Sequence, residues 1–367
     1  MVKSSRVFRF GWKALLALAS SGLLAIFLFT TTPAVATPST RYIYVTSTTV
    51  VSTTTVPTST TTTTTSLPSK NPVPTLHIKS KLRWPSMGSA AVAIPQLFVD
   101  ASSPWQPREP IASLTKMMTA WVVLHQLPLT FSQSGPCLTV NASDVALYNY
   151  DVATDQSSVK IVEGMRLCEG VLLRGVFVHS AGDYAQLLVA LTGMSQSRFV
   201  TEMNRDAKTL GLSQTHYVDV SGIASGDLST ARDQATLAVD LMTNEPVVQS
   251  IAALSRVALP VVGVVGSYTP FIGHDGVIGV KSGFTDPAGG CDVMAMKVRI
   301  NGTVITTYAV VLGQQGSDPL GMAGQAALNL SHSLRASISR VATPTGTEVQ
   351  WIGSPSDLSV PTPASKS

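Results

Sequence analysis

Apolar residues are distributed along this chain in sharply different ways. From Ala14 to Phe29 they are nearly continuous, preceded by Lys3, Arg6, Arg9 and Lys13 and followed by Ala34-Val35-Ala36. A basic stretch, an apolar core and a small-residue site in that order read as an export signal over residues 1–36. An uncleaved N-terminal membrane anchor is the alternative, the apolar core being somewhat short for a full span. Residues 37–81 are dominated by Thr, Ser, Pro and Val, with threonine at every position from Thr60 to Thr65. With so little varied apolar content to bury, this segment reads as a disordered linker.

From 82 to 340 the patterning is that of a globular domain, long enough for a substantial core and an enclosed cleft. Ser89–Ile94 and Gln96–Val99, broken by Pro95, predict a strand pair. After Pro110, Ile111 and Ala112 comes a run from Met117 to Leu124 that is apolar on all sides, which predicts a buried helix with Ser113 at its start. Helical spacing from Leu167 to Ala190 is interrupted at His179-Ser180-Ala181-Gly182, so Ser180 is expected on a tight turn between two helices, with Asp183 as the second helix's N-cap. A strand from Val277 to Val280 leads into Lys281-Ser282-Gly283-Phe284-Thr285, strands follow at Val293–Ile300 and Val304–Leu312, and a helix at Leu320–Ser339. Strands at both ends and helices between them predict an α/β (α+β) domain: an antiparallel sheet with a helical region, closed by pairing of N- and C-terminal strands. Residues 341–367 return to Pro, Ser and Thr and read as a disordered tail.

Charge changes the picture little. The formal net charge of +4 comes from the four basic residues of the first segment, leaving 21 Lys and Arg against 21 Asp and Glu, so nucleic acid is not an expected partner. Three cysteines in an exported chain allow one disulfide or none. Cys137 and Cys168 are the pair that shares one inter-motif region, and Cys291, among glycines and apolar residues, reads as a small buried hydrophobe.

The chemistry starts at Ser113 and Lys116. On a helix, residues i and i+3 share a face, so hydroxyl and amine come within hydrogen-bond reach: a nucleophile beside a base. Lysine at its ordinary pKa is protonated and cannot accept a proton, so it must be tuned by burial or by a second cation, for which Lys281 is the obvious source. A second Ser-x-x-Lys, Ser157 to Lys160, is followed by Ile161-Val162-Glu163-Gly164 and is assigned to a surface strand. The inference therefore rests on the order of three segments around Ser113, Ser180 and Lys281. No Gly-x-Ser-x-Gly or His-Glu-x-x-His occurs, the histidines are scattered, no metal-site spacing is present, and no cofactor is expected.

Pro110-Ile111-Ala112-Ser113-Leu114-Thr115-Lys116, Asn204 with Leu210-Gly211-Leu212, Thr215-His216-Tyr217, Ser229-Thr230-Ala231-Arg232-Asp233 and Gly279-Val280-Lys281-Ser282-Gly283-Phe284-Thr285 resemble the low-molecular-mass penicillin-binding proteins. More narrowly, they resemble the D-alanyl-D-alanine carboxypeptidases, over roughly residues 85–340. The resemblance implies a β-lactamase/transpeptidase-like fold around a central helix. It implies peptidoglycan stem peptides as substrate, β-lactam antibiotics as covalent inhibitors, and a part in cell-wall maturation and cell shape. In that scheme Ser113 is acylated, Lys116 is the general base, and Ser180 relays a proton to the leaving amine. Lys281 and Ser282 hold the terminal carboxylate, with Gly283 and Thr285 on the same strand, and the N–H groups of Ser113 and Phe284 form the oxyanion hole.

Two positions depart from the family pattern: Ser282 stands for threonine and keeps the hydroxyl, while Gly182 stands for asparagine and keeps nothing. An asparagine amide there donates to the substrate and contacts the lysine, and its loss is worth about 1 to 3 kcal/mol, or about 10- to 100-fold in rate. The alternatives are a slow or specialised carboxypeptidase, a wall-associated binding protein that acylates poorly or not at all, and a β-lactamase. The last needs an extra carboxylate for deacylation, with Glu202 and Glu245 as candidates. With no evident second β-rich domain or C-terminal amphipathic anchor, any membrane anchoring is expected from the N-terminus.

Overall fold

The computed structural model describes residues 82–342 and 348–352; the expected export signal and linker lie outside the described residues. The chain runs through β1 (Ser89–Ile94), β2 (Val99–Ser102), β3 (Glu109–Pro110), α1 (Thr115–Gln126), β4 (Cys137–Thr139), α2 (Ala142–Ala153), β5 (Arg166–Cys168), α3 (Glu169–Val178) and α4 (Gly182–Leu191). It continues through α5 (Gln196–Thr209), β6 (Leu228–Ser229), α6 (Ala231–Asn244), α7 (Pro246–Ala252), β7 (Arg256–Leu259), β8 (Gly263–Gly266), β9 (Val277–Thr285), β10 (Gly289–Ile300), β11 (Thr303–Gln314), α8 (Pro319–Ala342) and β12 (Val349–Trp351).

The main sheet is antiparallel. β10 lies at its middle, with β11, β1 and β2 on one side; β9, and β12 beyond it, pair along its other edge. Ser89 faces Leu312 in the β1–β11 register, so the N- and C-terminal strands close the sheet as expected. One face, with Val293, Ala295 and Val310, packs on the helical region; the other, with Met294, Val298 and Val311, packs on a cluster that includes Leu330 and Leu334 of α8. Coverage on both faces explains why β10 and β11 read as near-continuous apolar runs rather than alternating ones. In α1 every residue from Thr115 to Leu124 is buried, so it needs no polar face.

The structure corrects several expectations. Pro95 opens a 3₁₀ turn over Pro95–Leu97, closed by Phe98 in the left-handed region at φ 53°, so the second strand begins at Val99. A fixed φ and a missing N–H suit proline to the first position of such a turn. Ser157 to Lys160 lies in no strand or helix, and only Lys160 in it is exposed. Ala181, not Asp183, occupies the N-cap of α4. The domain also extends past 340: α8 runs to Ala342, and Val349–Trp351, expected in a loose tail, pairs with Val298–Ile300. Cys137 and Cys168, directly opposite in the β4–β5 ladder, form a disulfide, while Cys291 is free and buried.

Candidate active site

Ser113 sits on a 3₁₀ turn, Ala112–Leu114, that runs directly into α1. The turn is tightly clamped. Ala112 is held in the left-handed region at φ 48°, a conformation that costs a non-glycine residue on the order of 1–3 kcal/mol. A Cβ on Gly222 would lie 1.9 Å from the Ala112 carbonyl oxygen, and one on Gly283 of β9 would lie 2.7 Å from the Ser113 nitrogen. Only glycine at 222 and 283 lets backbone approach the Ser113 turn this closely.

Lys116 Nζ donates to Ser113 Oγ at 2.9 Å and to the Ser221 carbonyl at 2.6 Å. That carbonyl is presented by a loop folded around two carboxylates. Asp219 accepts from the N–H groups of Ser221, Gly222, Ile223 and Ala224. Asp227 accepts from Val218 and Asp219 N–H and, through Oδ2, from Thr115 Oγ1 at 2.9 Å. Asp219, Asp227 and Gly222 were not singled out from the sequence. The available signal was two acidic residues flanking Val220-Ser221-Gly222 in an otherwise apolar and small stretch.

Ser180 lies on the turn between α3 and α4, at φ 58°. Its Oγ accepts from Lys281 Nζ at 2.9 Å, and Lys281 also donates to the Ser282 carbonyl. Ser282 Oγ donates to the Tyr268 carbonyl at 3.0 Å. The three separated segments therefore converge. Ser113, Lys116, Ser180, Ser282, Gly283, Phe284 and Thr285 line one cavity of about 530 Å³, with Lys281 fully buried behind Ser180. Gln156 and Ser157 line it too, so the second Ser-x-x-Lys contributes a cleft wall rather than a surface strand. A larger hollow of about 1000 Å³, between residues 83–86 and α8, contains none of these residues.

Burial pushes Lys116 down to about 8, against the opposing pull of Asp219, Asp183, Asp151 and Asp227. Desolvation is thus the tuning device. Lys281 is pushed well below its ordinary value, by burial first and by the charge of Lys116 second. Asp183 is buried and pushed up to about 7 by desolvation; its carboxylate accepts from Val159 N–H at 3.1 and 3.2 Å. It therefore ties the 157–160 segment to the first turn of α4. Glu202 is paired with Arg205 at 2.6 Å, and Glu245 lies 3.8 Å from His125, both outside the cavity lining.

A family model described as D-alanyl-D-alanine carboxypeptidase matches residues 101–316. The chain belongs to this carboxypeptidase family. Among curated relatives, D-alanyl-D-alanine carboxypeptidase DacA of Escherichia coli K12 is 32% identical over 140 residues, covering 38% of this chain and 34% of that protein. The chain thus spans about a third of the length of the first curated relatives it matches. The D-alanyl-D-alanine carboxypeptidase of Streptomyces sp. K15 is 29% identical over 222 residues, 54% of this chain and 72% of that one. The crystal structure of the Streptomyces K15 DD-transpeptidase superposes with a TM-score of 0.60 at 23% identity, covering 70% of this chain and all of that one. Penicillin-binding protein D2 of Listeria monocytogenes, in its cefotaxime-bound form, gives 0.54 at 25% identity, covering 69% of this chain and 100% of that one. The carboxypeptidase family and the transpeptidase-like fold agree, and the family match encloses every motif residue from Ser113 to Thr285.

Proposed function

We propose that this protein is a serine D,D-carboxypeptidase that removes the terminal D-alanine from peptidoglycan stem peptides through an acyl-enzyme at Ser113. The observation that carries this reading is the placement of Lys116 Nζ 2.9 Å from Ser113 Oγ, in a cavity also lined by Ser180, which is bonded to the buried Lys281.

Neutral Lys116 takes the proton of Ser113 Oγ as it attacks the carbonyl between the two D-alanines. Gly283, packed against the Ser113 nitrogen, brings β9 to the nucleophile, and the N–H groups of Ser113 and Phe284 receive the developing oxyanion. The C–N bond breaks, the proton held by Lys116 passes through Ser180 Oγ to the departing amine, and D-alanine leaves. Water then hydrolyses the ester and restores the Ser113 hydroxyl. The substrate's terminal carboxylate docks towards Lys281 and along Ser282 to Thr285, where the Ser282 hydroxyl turns from Tyr268 to meet it. A β-lactam carbonyl fits the same steps, but ring opening leaves no departing fragment, so the adduct persists.

The Cys137–Cys168 disulfide supports a location outside the cytoplasm, with the N-terminal segment as export signal or membrane anchor. Trimming stem peptides there would place the protein in wall maturation and cell shape. Among the described residues, no helix is long and apolar enough to cross a membrane.

The test is D-alanine release from a synthetic peptide ending in D-Ala-D-Ala. The wild-type chain releases it and Ser113→Ala does not. A folded wild-type chain that binds the peptide without releasing D-alanine would overturn the reading in favour of a wall-binding module.

A further inference from the structure

The four carboxylates that act on Lys116 are not equally provided for. Asp219 and Asp227 are satisfied by backbone N–H groups and Thr115, and Asp183 by Val159. Asp151, in the last turn of α2, is 1% exposed, and its Oδ2 is buried without a hydrogen-bond partner. An unpartnered buried carboxylate is costly, and a negative charge in the last turn opposes the helix dipole. Packing and helix stability both argue against an acid at this position.

What faces that oxygen is Gly182. A Cβ on Gly182 would lie 3.9 Å from Asp151 Oδ2, 3.4 Å from the Ser157 carbonyl and 3.8 Å from Ser221 Cβ, all ordinary contacts. Gly182 is the first residue of α4 and is not in the left-handed region. Neither backbone nor space demands a glycine there; its effect is to leave the ground before Asp151 open.

We propose that Asp151 is a positioning residue of the acyl-transfer site, its carboxylate reaching across the space left by Gly182 to stabilise the Lys116 ammonium that forms when Ser113 gives up its proton. The inference rests on the acyl-transfer reading of Ser113 and Lys116. It explains how the second motif lacks a polar side chain at 182 while the site keeps a polar group at that spot, supplied from α2. The charged groups facing Lys116 are Asp151 from α2, Asp183 from α4, Asp219 and Asp227 from the loop before α6, and Lys281 from β9.

The test is the pH dependence of acylation by a fluorescent penicillin, with thermal melting to establish folding. In the wild-type chain the rate rises with pH as Lys116 loses its proton. Asp151→Asn keeps the shape and removes the charge that favours the ammonium, so the midpoint of that rise moves to lower pH, by about half a unit or more. Gly182→Asn is the second variant: its amide reaches Oδ2, draws the carboxylate from Lys116, and moves the midpoint the same way by less. Midpoints unchanged in both folded variants would overturn the proposal and leave Asp151 a packing residue. A folded wild-type chain that takes no label would instead overturn the acyl-transfer reading beneath it.

Discussion

Lys116 and Lys281 are both buried lysines, bonded to Ser113 and Ser180 respectively, yet their surroundings differ. Lys116 is held on the loop side of the cleft within reach of four carboxylates, which partly offset burial and leave it at about 8. Lys281, on the strand side, feels the attraction of Asp292, and the Lys116 charge adds to burial in pushing it well below its ordinary value. Near-neutral titration suits an amine that must take and return a proton in each cycle.

The largest effect should come from breaking the loop side. Lys116→Ala removes the base while Ser113 stays in its clamp, and the acylation rate should fall by about 10²- to 10⁴-fold. A stopped-flow penicillin assay, with melting to confirm folding, measures it. Lys281→Ala should fall between, about 10- to 100-fold in kcat/KM for a carboxylate-bearing peptide, mostly as a raised KM. Comparing that peptide with its C-terminal amide separates carboxylate docking from proton relay, since the amide should lose much less. An equal loss for both substrates would assign Lys281 to the relay through Ser180.

The smallest effect is on stability. Burial raises Asp183 and Asp227 to about 7 in the folded chain, from the ordinary aspartate value of about 4 in the unfolded one. The folded state therefore binds more protons than the unfolded state between those values, and stability from these groups rises as pH falls from 7 towards 4. Lys116 adds nothing to this window, because its folded and unfolded values both lie at about 8 or above. Lys281, pushed below its ordinary value, works in the opposite direction, so the aspartate contribution is read by comparison: from pH 8 to pH 5 the melting temperature of the wild-type chain should rise relative to that of Asp183→Asn, which cannot titrate.

The same contrast separates what could be read from the sequence. The strand side was legible: β9, β10 and β11 are continuous apolar runs, and a strand entering Lys281-Ser282-Gly283 carries its own register. So were α1 and the Ser180 turn, where apolar runs meet polar breaks. The loop side was not. The bond that Lys116 Nζ donates to the Ser221 carbonyl spans 105 residues, and its geometry depends on backbone N–H groups converging on Asp219, which leave no side-chain periodicity. Ser157 lies in the cleft wall and not on a surface strand for a related reason: strand-like composition does not reveal that Asp183 takes the N–H of Val159. Gly182 stood out as a departure from the family pattern, but the orphaned Asp151 oxygen facing it became visible only in three dimensions.

The most direct measurement is intact-mass spectrometry of the folded chain after exposure to a penicillin, followed by mapping of the modified peptide. One adduct on Ser113, absent in Ser113→Ala, is the predicted result. An adduct on Ser157 or another residue, or none on folded protein, would contradict it.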